Sequence, residues 1–279
     1  MEAFHENRSY REGIHLSISK SNSLEFLAHW HVDIEIIYVC EGNLRVGINN
    51  ESRILTKGEL AICSSGDIHY YDSKGMESSS IILIFTPGLI GFKSGWPENG
   101  KFIYPFIESE LKFKGTKLPE VSNEILKLLN CIYEEMQQEN QYYNYFVRSK
   151  LFELCGIILR FLPASSVDIK IDNRKLPLIK AMKKTIHYIE NNYSEDITLE
   201  SIAKKANLSM FYFSRVFKDI VGMNYKTYLN WVRVNKAESM IKTSNMPITD
   251  IAFECGFNSI RSFNRVYKAI KGDIPSNLR

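Results

Sequence analysis

The stretch Phe213-Ser214-Arg215-Val216-Phe217-Lys218 occurs twice in this chain, the second time as Phe263-Asn264-Arg265-Val266-Tyr267-Lys268. All six pairs are offset by 50 residues, and Gly222 and Gly272 keep the same offset. A repeat at this spacing indicates that one supersecondary unit is used twice. Each copy also has an Ile-Ala pair and a serine upstream: Ile202-Ala203 and Ser209, then Ile251-Ala252 and Ser259.

Each copy predicts two helices joined by a short turn. In the first copy, Thr198 is expected to cap one helix and Ser209 the next, because hydroxyl side chains accept a hydrogen bond from the free N–H groups of a helix start. In the second copy, Thr249 is the expected cap. Gly256 is expected in the turn, where a positive φ is often needed. The repeat therefore predicts two helix-turn-helix units.

The second helix of each unit has two different faces. One face is an apolar stripe with helical spacing, which predicts burial. The opposite face and the helix start are polar or exposed, and they carry the candidate DNA-binding residues: Met210, Phe211, Ser214, Arg215 and Lys218 in the first unit, and Ile260, Arg261, Asn264, Arg265 and Lys268 in the second. Arginine can bind guanine, asparagine can bind adenine, and phenylalanine can pack on a thymine methyl group.

A charged helix face is most often a solvated surface, and one such helix would not indicate DNA binding. Here two helices carry matched arginines and lysines, and each follows a helix-turn signature. Together they favour DNA binding over a solvated surface.

The repeated segment resembles the DNA-binding domain of the AraC-type (AraC/XylS) transcriptional regulators. The resemblance covers about the last hundred residues and includes Arg233 and Ala237 between the units and Gly256-Phe257 and Pro275 in the second. It implies that both recognition helices enter successive major grooves of promoter DNA, joined by a long helix from Tyr225 to Lys242. It also implies RNA polymerase as a further partner and a role as an activator.

Length and charge support a two-domain chain. The 279 residues are enough for two domains that each bury a core. The net charge of +3 is unevenly spread. Residues 178–279 hold 16 basic and 9 acidic residues, and the remainder holds 19 basic and 23 acidic ones. A basic module on an acidic body is expected of a phosphate-binding domain attached to a second domain.

The five cysteines are scattered and form no CxxC pair, so the sequence predicts neither a zinc finger nor a disulfide framework. The N-terminus lacks an apolar signal core, and no apolar run approaches membrane-spanning length. We therefore expect a cytoplasmic protein with no membrane partner.

The first half of the chain alternates short apolar strands with turn signals up to about Phe85, which is typical of a small β-barrel or jelly roll. Helical periodicity follows from Pro119. We predict a barrel domain with a helical hairpin over residues 1–165, a linker over 166–176, and an all-α DNA-binding domain over 177–279. We also expect the helical stretch from Tyr142 to Leu162 to form a homodimer, because it carries more apolar residues than one packing face needs.

Four polar residues in the barrel region form the candidate ligand-binding site: His29, His31, Glu35 and His69. His29, His31 and Glu35 share one parity, so they would face one side of a single strand. Together with Gly42, Gly58 and Gly66 they resemble the two motifs of the cupin barrel, with Ser64 at a proline position. In metal-binding cupins these positions hold a metal ion. We expect the four side chains to line the barrel interior, with the polar arm before Gly13 closing over its mouth.

Alternatives to a ligand site remain open at this point. His29 and His31 can be ordinary hydrogen-bonded barrel residues, and Glu35 can pair with Arg45 or Arg53. The chain can be a metal-dependent cupin enzyme, or a regulator whose barrel binds a partner protein. No nucleophile with a base at readable spacing is present, so we predict no catalytic residue, no cofactor and no bound metal. The favoured interpretation is a DNA-binding transcription regulator that responds to a small-molecule effector through its cupin-like barrel.

Overall fold

A computed structural model describes residues 10, 13–73, 75–92, 96–97, 100–102, 104–109, 112–113, 116–161, 164–166 and 175–278. The chain divides into an N-terminal unit, which ends at Leu176, and a C-terminal unit, which begins at Pro177. Most of the predicted arm and residues 167–174 of the predicted linker lie outside the described residues. Tyr10 is described, and its hydroxyl donates a hydrogen bond to Asp33 Oδ2 at 2.7 Å.

The N-terminal unit is built on β-strands. Their bounds are β1 Leu16–Asn22, β2 Phe26–His29, β3 Ile34–Ile48, β4 Glu51–Thr56, β5 Leu60–Cys63, β6 His69–Asp72, β7 Ser78–Phe85, β8 Gly100–Phe102, β9 Phe106–Ile107, β10 Lys112–Phe113, β11 Thr116–Lys117 and β12 Ala164–Ser166. Strand β3 is the longest described strand, and it pairs antiparallel with β4, β5, β6 and β7. Because β3 pairs with four other strands, the sheet curls into a barrel that has an interior.

Two apolar clusters fill the two sides of this sheet. One side packs Ile37, Val39 and Val46 with the apolar residues of neighbouring strands inside the roll. The other side packs Ile36, Tyr38 and their neighbours against two helices, α1 Leu118–Gln138 and α2 Tyr143–Phe161. Up to Val39, the alternation of side chains along β3 sends even and odd positions to opposite clusters, as a strand period of two requires. A register shift between Val39 and Glu41 then reverses the parity, so the even position Val46 joins the cluster of Ile37 and Val39. This is the predicted barrel with a helical hairpin.

The C-terminal unit is helical. Its helices are α3 Lys175–Asn191, α4 Leu199–Lys205, α5 Met210–Val221, α6 Tyr225–Thr243, α7 Ile248–Glu254 and α8 Ile260–Lys271. The predicted apolar stripes are buried: Phe213 and Phe217 of α5 are fully enclosed, as is Phe263 of α8. Burying each such ring contributes roughly 1.5–3 kcal/mol, so these stripes stabilise the two helix-turn-helix units. The predicted long helix between the units is α6. Within the described residues, no helix combines the length and hydropathy that crossing a membrane requires.

Candidate DNA interface and buried polar cluster

The first helix-turn-helix unit consists of α4 and α5, and side-chain caps fix both helix starts. Thr198 and Ser201 exchange hydrogen bonds, each side chain accepting from the other's backbone N–H at 3.1 Å. Ser209 Oγ accepts a hydrogen bond from the Tyr212 N–H at 3.3 Å. Both predicted caps are therefore confirmed, and they determine where the exposed start of α5 lies.

The second unit consists of α7 and α8. The predicted cap at Thr249 is wrong, because α7 begins at Ile248 directly after Pro247 and Thr249 lies inside its first turn. The predicted turn at Gly256 is confirmed, with φ at +80°. Ser259 Oγ accepts a hydrogen bond from the Ser262 N–H at 3.2 Å and caps α8. Both second helices therefore start at a capping serine, as their shared sequence pattern predicts.

The two second helices expose the side chains that the sequence singled out. On α5, Phe211 is 82% exposed, Met210, Arg215 and Lys218 are exposed, and Ser214 is half-buried. On α8, Arg261, Asn264, Arg265 and Lys268 are exposed and Ile260 is half-buried. The apolar stripe on the opposite side of each helix packs into the interior of its helix-turn-helix unit. Each helix therefore offers solvent a face of hydrogen-bond donors and one or two apolar contacts.

Arg233 of α6 lies where the second helix-turn-helix unit contacts the rest of the C-terminal unit. Its Nε donates to the Tyr193 carbonyl oxygen at 2.7 Å, and its Nη2 donates to the Glu195 carbonyl oxygen at 2.8 Å. Gly256 lies against the same place, because a Cβ there would come within 2.7 Å of the Ser194 carbonyl oxygen. The segment after α3, the middle of α6 and the turn before α8 therefore meet at one point. The position of α8 depends on this contact.

The candidate ligand-binding residues come together, although not on one strand. Strand β2 ends at His29, β3 begins at Ile34, and His31 lies in the connection between them. The expectation that one strand carries His29, His31 and Glu35 is therefore wrong. His69 reaches the group because β6 pairs with β2, with His29 opposite His69. All four side chains are buried, and one ligand atom from each lies within 4.8 Å of the others.

The carboxylate of Glu35 is the centre of this cluster. Its Oε2 accepts hydrogen bonds from His31 Nε2 at 2.9 Å and His69 Nε2 at 3.2 Å, and its Oε1 accepts from the Tyr71 hydroxyl at 2.6 Å. The alternative in which Glu35 pairs with Arg45 or Arg53 is not supported, because the described hydrogen-bond partners of Glu35 are His31, His69 and Tyr71. Arg53 instead lies 3.9 Å from the exposed carboxylates of Glu51 and Glu108.

The environment separates the pKa values of the cluster. Burial alone would raise the pKa of Glu35, but the hydrogen bonds from His31 and His69 outweigh burial and hold it well below its usual value. Burial, together with the neighbouring His69, lowers the pKa of His29 well below its usual value. Burial also opposes protonation of His69, but Cys63 and Glu35 outweigh it and raise that pKa. The cluster therefore contains an ionised carboxylate facing imidazole groups with different pKa values.

The donor set fits a divalent transition-metal ion. Three imidazoles and a carboxylate are suitable ligands for zinc, copper, nickel or iron. Each histidine also uses its Nδ1 for a backbone carbonyl oxygen: that of Leu27 at 2.8 Å, of Asp33 at 3.1 Å and of Asp67 at 2.9 Å. A second hydrogen bond of this kind is what orients histidine ligands in metal sites. His29, His31, Glu35 and His69 would hold such an ion.

A separate cavity of about 310 Å³ lies between the outer side of the sheet and α1. Its lining includes Tyr38, Cys40, Lys57, Ser122 and Leu126. The Tyr38 hydroxyl and Ser122 Oγ are 2.7 Å apart, and Ser122 Oγ donates to the Gly58 carbonyl oxygen at 2.8 Å. The cavity could admit a small organic molecule, and the sequence interpretation did not anticipate it.

Two cluster residues were missed by sequence reasoning. Tyr71 follows His69 at the same strand parity, so alternation along β6 could have found it. Cys63 lies opposite Glu35 in the pairing of β3 with β5, and burial raises the pKa of its thiol. No sequence signal points to Cys63, because its neighbourhood depends on which strands pair.

Two family models match the chain. One, described as a helix-turn-helix domain, matches residues 202–279, and the other, described as a cupin domain, matches residues 19–85. The helix-turn-helix match covers both exposed helix faces, and the cupin match covers the buried polar cluster.

The chain is also similar to curated proteins and to solved structures. The uncharacterised HTH-type transcriptional regulator YdeC of Bacillus subtilis (strain 168) is 23% identical over 244 residues, covering 84% of this chain and 79% of that protein. The HTH-type transcriptional activator RhaS of Escherichia coli (strain SE11) is 23% identical over 260 residues, covering 91% and 88%. The C-terminal domain of AraT, a response regulator from Geobacillus stearothermophilus, is 30% identical, with 36% of this chain and 83% of that chain covered and a TM-score of 0.35.

Proposed function

Because this chain belongs to the AraC-type family of transcriptional regulators, with a cupin domain ahead of its helix-turn-helix domain, we propose that α5 and α8 carry base recognition in promoter DNA. One observation supports this most: the same face of two serine-capped helices is exposed, while the opposite face is buried. An exposed N-terminal half of a recognition helix is the part that contacts base edges in helix-turn-helix proteins.

The side chains on the two faces suggest a division of roles. Arg215 and Arg261 can each form two hydrogen bonds to guanine, and Asn264 can do so with adenine. Phe211, 82% exposed, offers an apolar contact for a thymine methyl group. Such a large apolar surface in water gains from being covered on binding. Lys218 and Lys268 lie one turn beyond Arg215 and Arg265 and would meet phosphates, which position the protein without specifying sequence.

Selection of binding sites from random duplex DNA tests the assignment. The full chain should select a defined motif, and Arg215→Ala and Arg261→Ala should each lose preference at a separate position, by about 1–3 kcal/mol per lost guanine contact. Lys218→Ala and Lys268→Ala should weaken binding to all sequences alike.

The matched control is Lys180→Ala, which removes an exposed charge from α3, outside the two faces. It should leave both the motif and the affinity close to those of the unchanged chain. An unchanged motif in both arginine variants would refute the assignment of α5 and α8 to base recognition.

We also propose that the regulator is a homodimer that pairs through α2. Helix α2 buries Leu151, Leu154 and Ile158 against the barrel. A different stripe is exposed: Tyr145, Phe152 and Leu159 recur every seven residues, at 69%, 53% and 39% exposure. A seven-residue repeat of apolar side chains is the pattern by which helices pair along a seam. A second copy of the chain fits this stripe best, because an identical helix brings the same repeat and closes the interface by two-fold symmetry.

The regulatory role includes three further proposals. RhaS is named an activator, and we propose activation through contact with RNA polymerase for this chain too. We propose a cytoplasmic location as well, because a promoter-binding role requires access to DNA. We propose that the barrel senses a small effector and is not a metal-dependent enzyme, since the four cluster residues already occupy hydrogen bonds that orient them for binding. Turnover of a candidate substrate by the metal-loaded chain would favour the enzyme instead.

A further inference from the structure

We propose that the cavity between the sheet and α1 is a ligand site in its own right, which takes a small carboxylic acid that carries hydroxyl groups. Its volume of about 310 Å³ is at the small end of the roughly 300–1,000 Å³ of ordinary ligand pockets. The cavity is separate from the barrel interior. Its wall residue Tyr38 packs with the apolar residues beside α1 and α2, whereas Tyr71, which contacts Glu35, packs inside the barrel. The proposal therefore concerns a second site, and it does not depend on the proposed role in DNA binding.

Three hydroxyl groups of the cavity wall have their protons occupied within the protein. Ser122 Oγ donates to the Gly58 carbonyl oxygen at 2.8 Å, and a carbonyl oxygen can only accept. The 2.7 Å contact between the Tyr38 hydroxyl and Ser122 Oγ must therefore use the proton of Tyr38. Ser109 Oγ donates to the Glu59 carboxylate at 2.7 Å. All three hydroxyl groups can therefore meet a ligand only as hydrogen-bond acceptors.

The ligand consequently has to supply the donors. Hydroxyl groups do so without charge, whereas an ammonium group would bring a second positive charge next to Lys57, which also lines the cavity. Leu126 and Tyr38 add apolar surface along which the carbon atoms of such a molecule can pack. The wall is thus suited to a short carbon chain that carries several hydroxyl groups.

Lys57 gives the cavity a positive charge. Among the described residues that line the cavity, it is the one with an ionised side chain at neutral pH, and that side chain is exposed. Its charge acts on the cavity wall: burial raises the pKa of the Cys40 thiol and Glu41 adds to the rise, while Lys20 and Lys57 oppose it. Hydrogen bonds from an ammonium group to a carboxylate are charge-assisted and stronger than neutral ones. An acid is therefore favoured over a neutral polyol.

Calorimetric titration of the full chain tests this ligand class with two linear hydroxy acids, D-gluconate and D-glycerate. We expect at least one of them to bind with one molecule per chain. Sorbitol lacks the carboxylate of gluconate, and hexanoate lacks its hydroxyl groups. Each should bind at least about tenfold more weakly, because a charge-assisted hydrogen bond or several neutral ones are lost. If neither hydroxy acid binds at concentrations up to about 10 mM, or if sorbitol or hexanoate binds as well, the proposal is wrong.

Alkylation of cysteines by iodoacetamide, followed by mass spectrometry, tests where the acid binds. The thiol of Cys40 lines the cavity, and the matched control is Cys131 of α1, which is also partly buried but lies outside the cavity lining. At ten times the Kd the unoccupied fraction is about one in eleven, so alkylation of Cys40 should slow about tenfold while that of Cys131 stays unchanged. An unchanged rate at Cys40, or equal protection of Cys131, would show that the acid is not held in this cavity.

Two substitutions of exposed residues test the site independently of cysteine reactivity. Lys57→Gln should weaken binding of the acid at least about tenfold and leave the weak binding of sorbitol unchanged. Asn123→Trp places a bulky side chain in the cavity wall and should abolish binding of the acid. The matched control is Arg160→Gln, which removes an exposed charge of α2 outside the cavity lining and should bind the acid as the unchanged chain does. Unchanged binding in folded Lys57→Gln and Asn123→Trp overturns the proposal, since the acid is then held elsewhere.

Discussion

Replacing Gly256 with alanine should destabilise the C-terminal unit by about 3 kcal/mol, whereas the same change at Gly272 should cost only about 1 kcal/mol. Both glycines have a positive φ, +80° and +77°. They differ in their surroundings: a Cβ on Gly272 meets no atom within 4 Å, but a Cβ on Gly256 meets the Ser194 carbonyl oxygen at 2.7 Å and Arg233 Nη2 at 2.9 Å.

The magnitude follows from these contacts. A left-handed backbone costs a residue with a Cβ roughly 1–2 kcal/mol, which applies at both positions. At Gly256 the new methyl group must also push away a backbone oxygen and a guanidinium. Arg233 then loses its geometry toward the Tyr193 and Glu195 carbonyl oxygens, and each net hydrogen bond contributes about 1 kcal/mol. The extra cost at Gly256 is therefore about 2 kcal/mol.

Urea unfolding of the full chain, followed by circular dichroism of its helices, measures both costs. Gly272→Ala serves as the control for backbone conformation alone. The difference between the unfolding free energies of the two variants therefore measures the steric contact of the new Cβ at position 256. Gly256→Ala should in addition weaken DNA binding, because the turn positions α8. Equal unfolding free energies for the two variants would show that the contact with Arg233 contributes nothing, and our account of how the second unit is held would be wrong.

Three further predictions concern other parts of the chain. Residues 176–279 alone should bind duplex DNA with an affinity that falls steeply as salt is added, because basic side chains release counterions from phosphates; a folded fragment without binding at low salt contradicts this. Phe152→Glu should convert the dimer to a monomer in analytical ultracentrifugation, while Tyr104→Glu, at an equally exposed aromatic residue outside α2, should not. Glu59→Gln should cost about 1 kcal/mol at neutral pH, because Glu59 accepts hydrogen bonds from Thr56 and Ser109. Burial alone would raise the pKa of Glu59, but these hydrogen bonds lower it. The stability that the Glu59 carboxylate contributes is therefore full above its unfolded pKa of about 4.3 and disappears as pH falls through its pKa in the folded protein. The unfolding free energies of Glu59→Gln and the unchanged chain should therefore converge in urea titrations at acid pH.

The helical half of the fold could be predicted because its signals are local. Hydrophobic period, capping serines and a turn glycine all lie within a few residues of the helix ends that they determine, and the second copy supports the first. The misplaced cap at Thr249 has a local cause as well. Pro247 lacks an N–H and fixes its own φ, so it can precede a helix start without any side-chain cap. A hydroxyl two residues later then has no free helix start to cap.

The sequence predicted which residues form the barrel site, but not which strands bring them together. Parity correctly grouped His29, His31 and Glu35, yet the chain breaks its strand between them. The partners of Glu35 could not be predicted, because they depend on β6 and β5 lying beside β3, and strand pairing over such separations has no local signal. Likewise, the apolar excess of α2 was visible in sequence, but which stripe would face the barrel was decided by packing.

Glu35 accepts hydrogen bonds from three buried side chains, and this should slow the evolutionary loss of the cluster. Replacing Glu35 leaves three buried donors without their acceptor, and replacing a donor leaves the buried carboxylate with one partner fewer; each group left unsatisfied costs about 1–3 kcal/mol. Replacing the whole set with apolar residues of similar volume removes that penalty and can be nearly neutral. Chains that have lost only some of these residues are thus less fit than chains with all or none of them, so related chains should carry either all of these residues or almost none. A double-mutant cycle between Glu35 and His69 would show this as strong non-additivity.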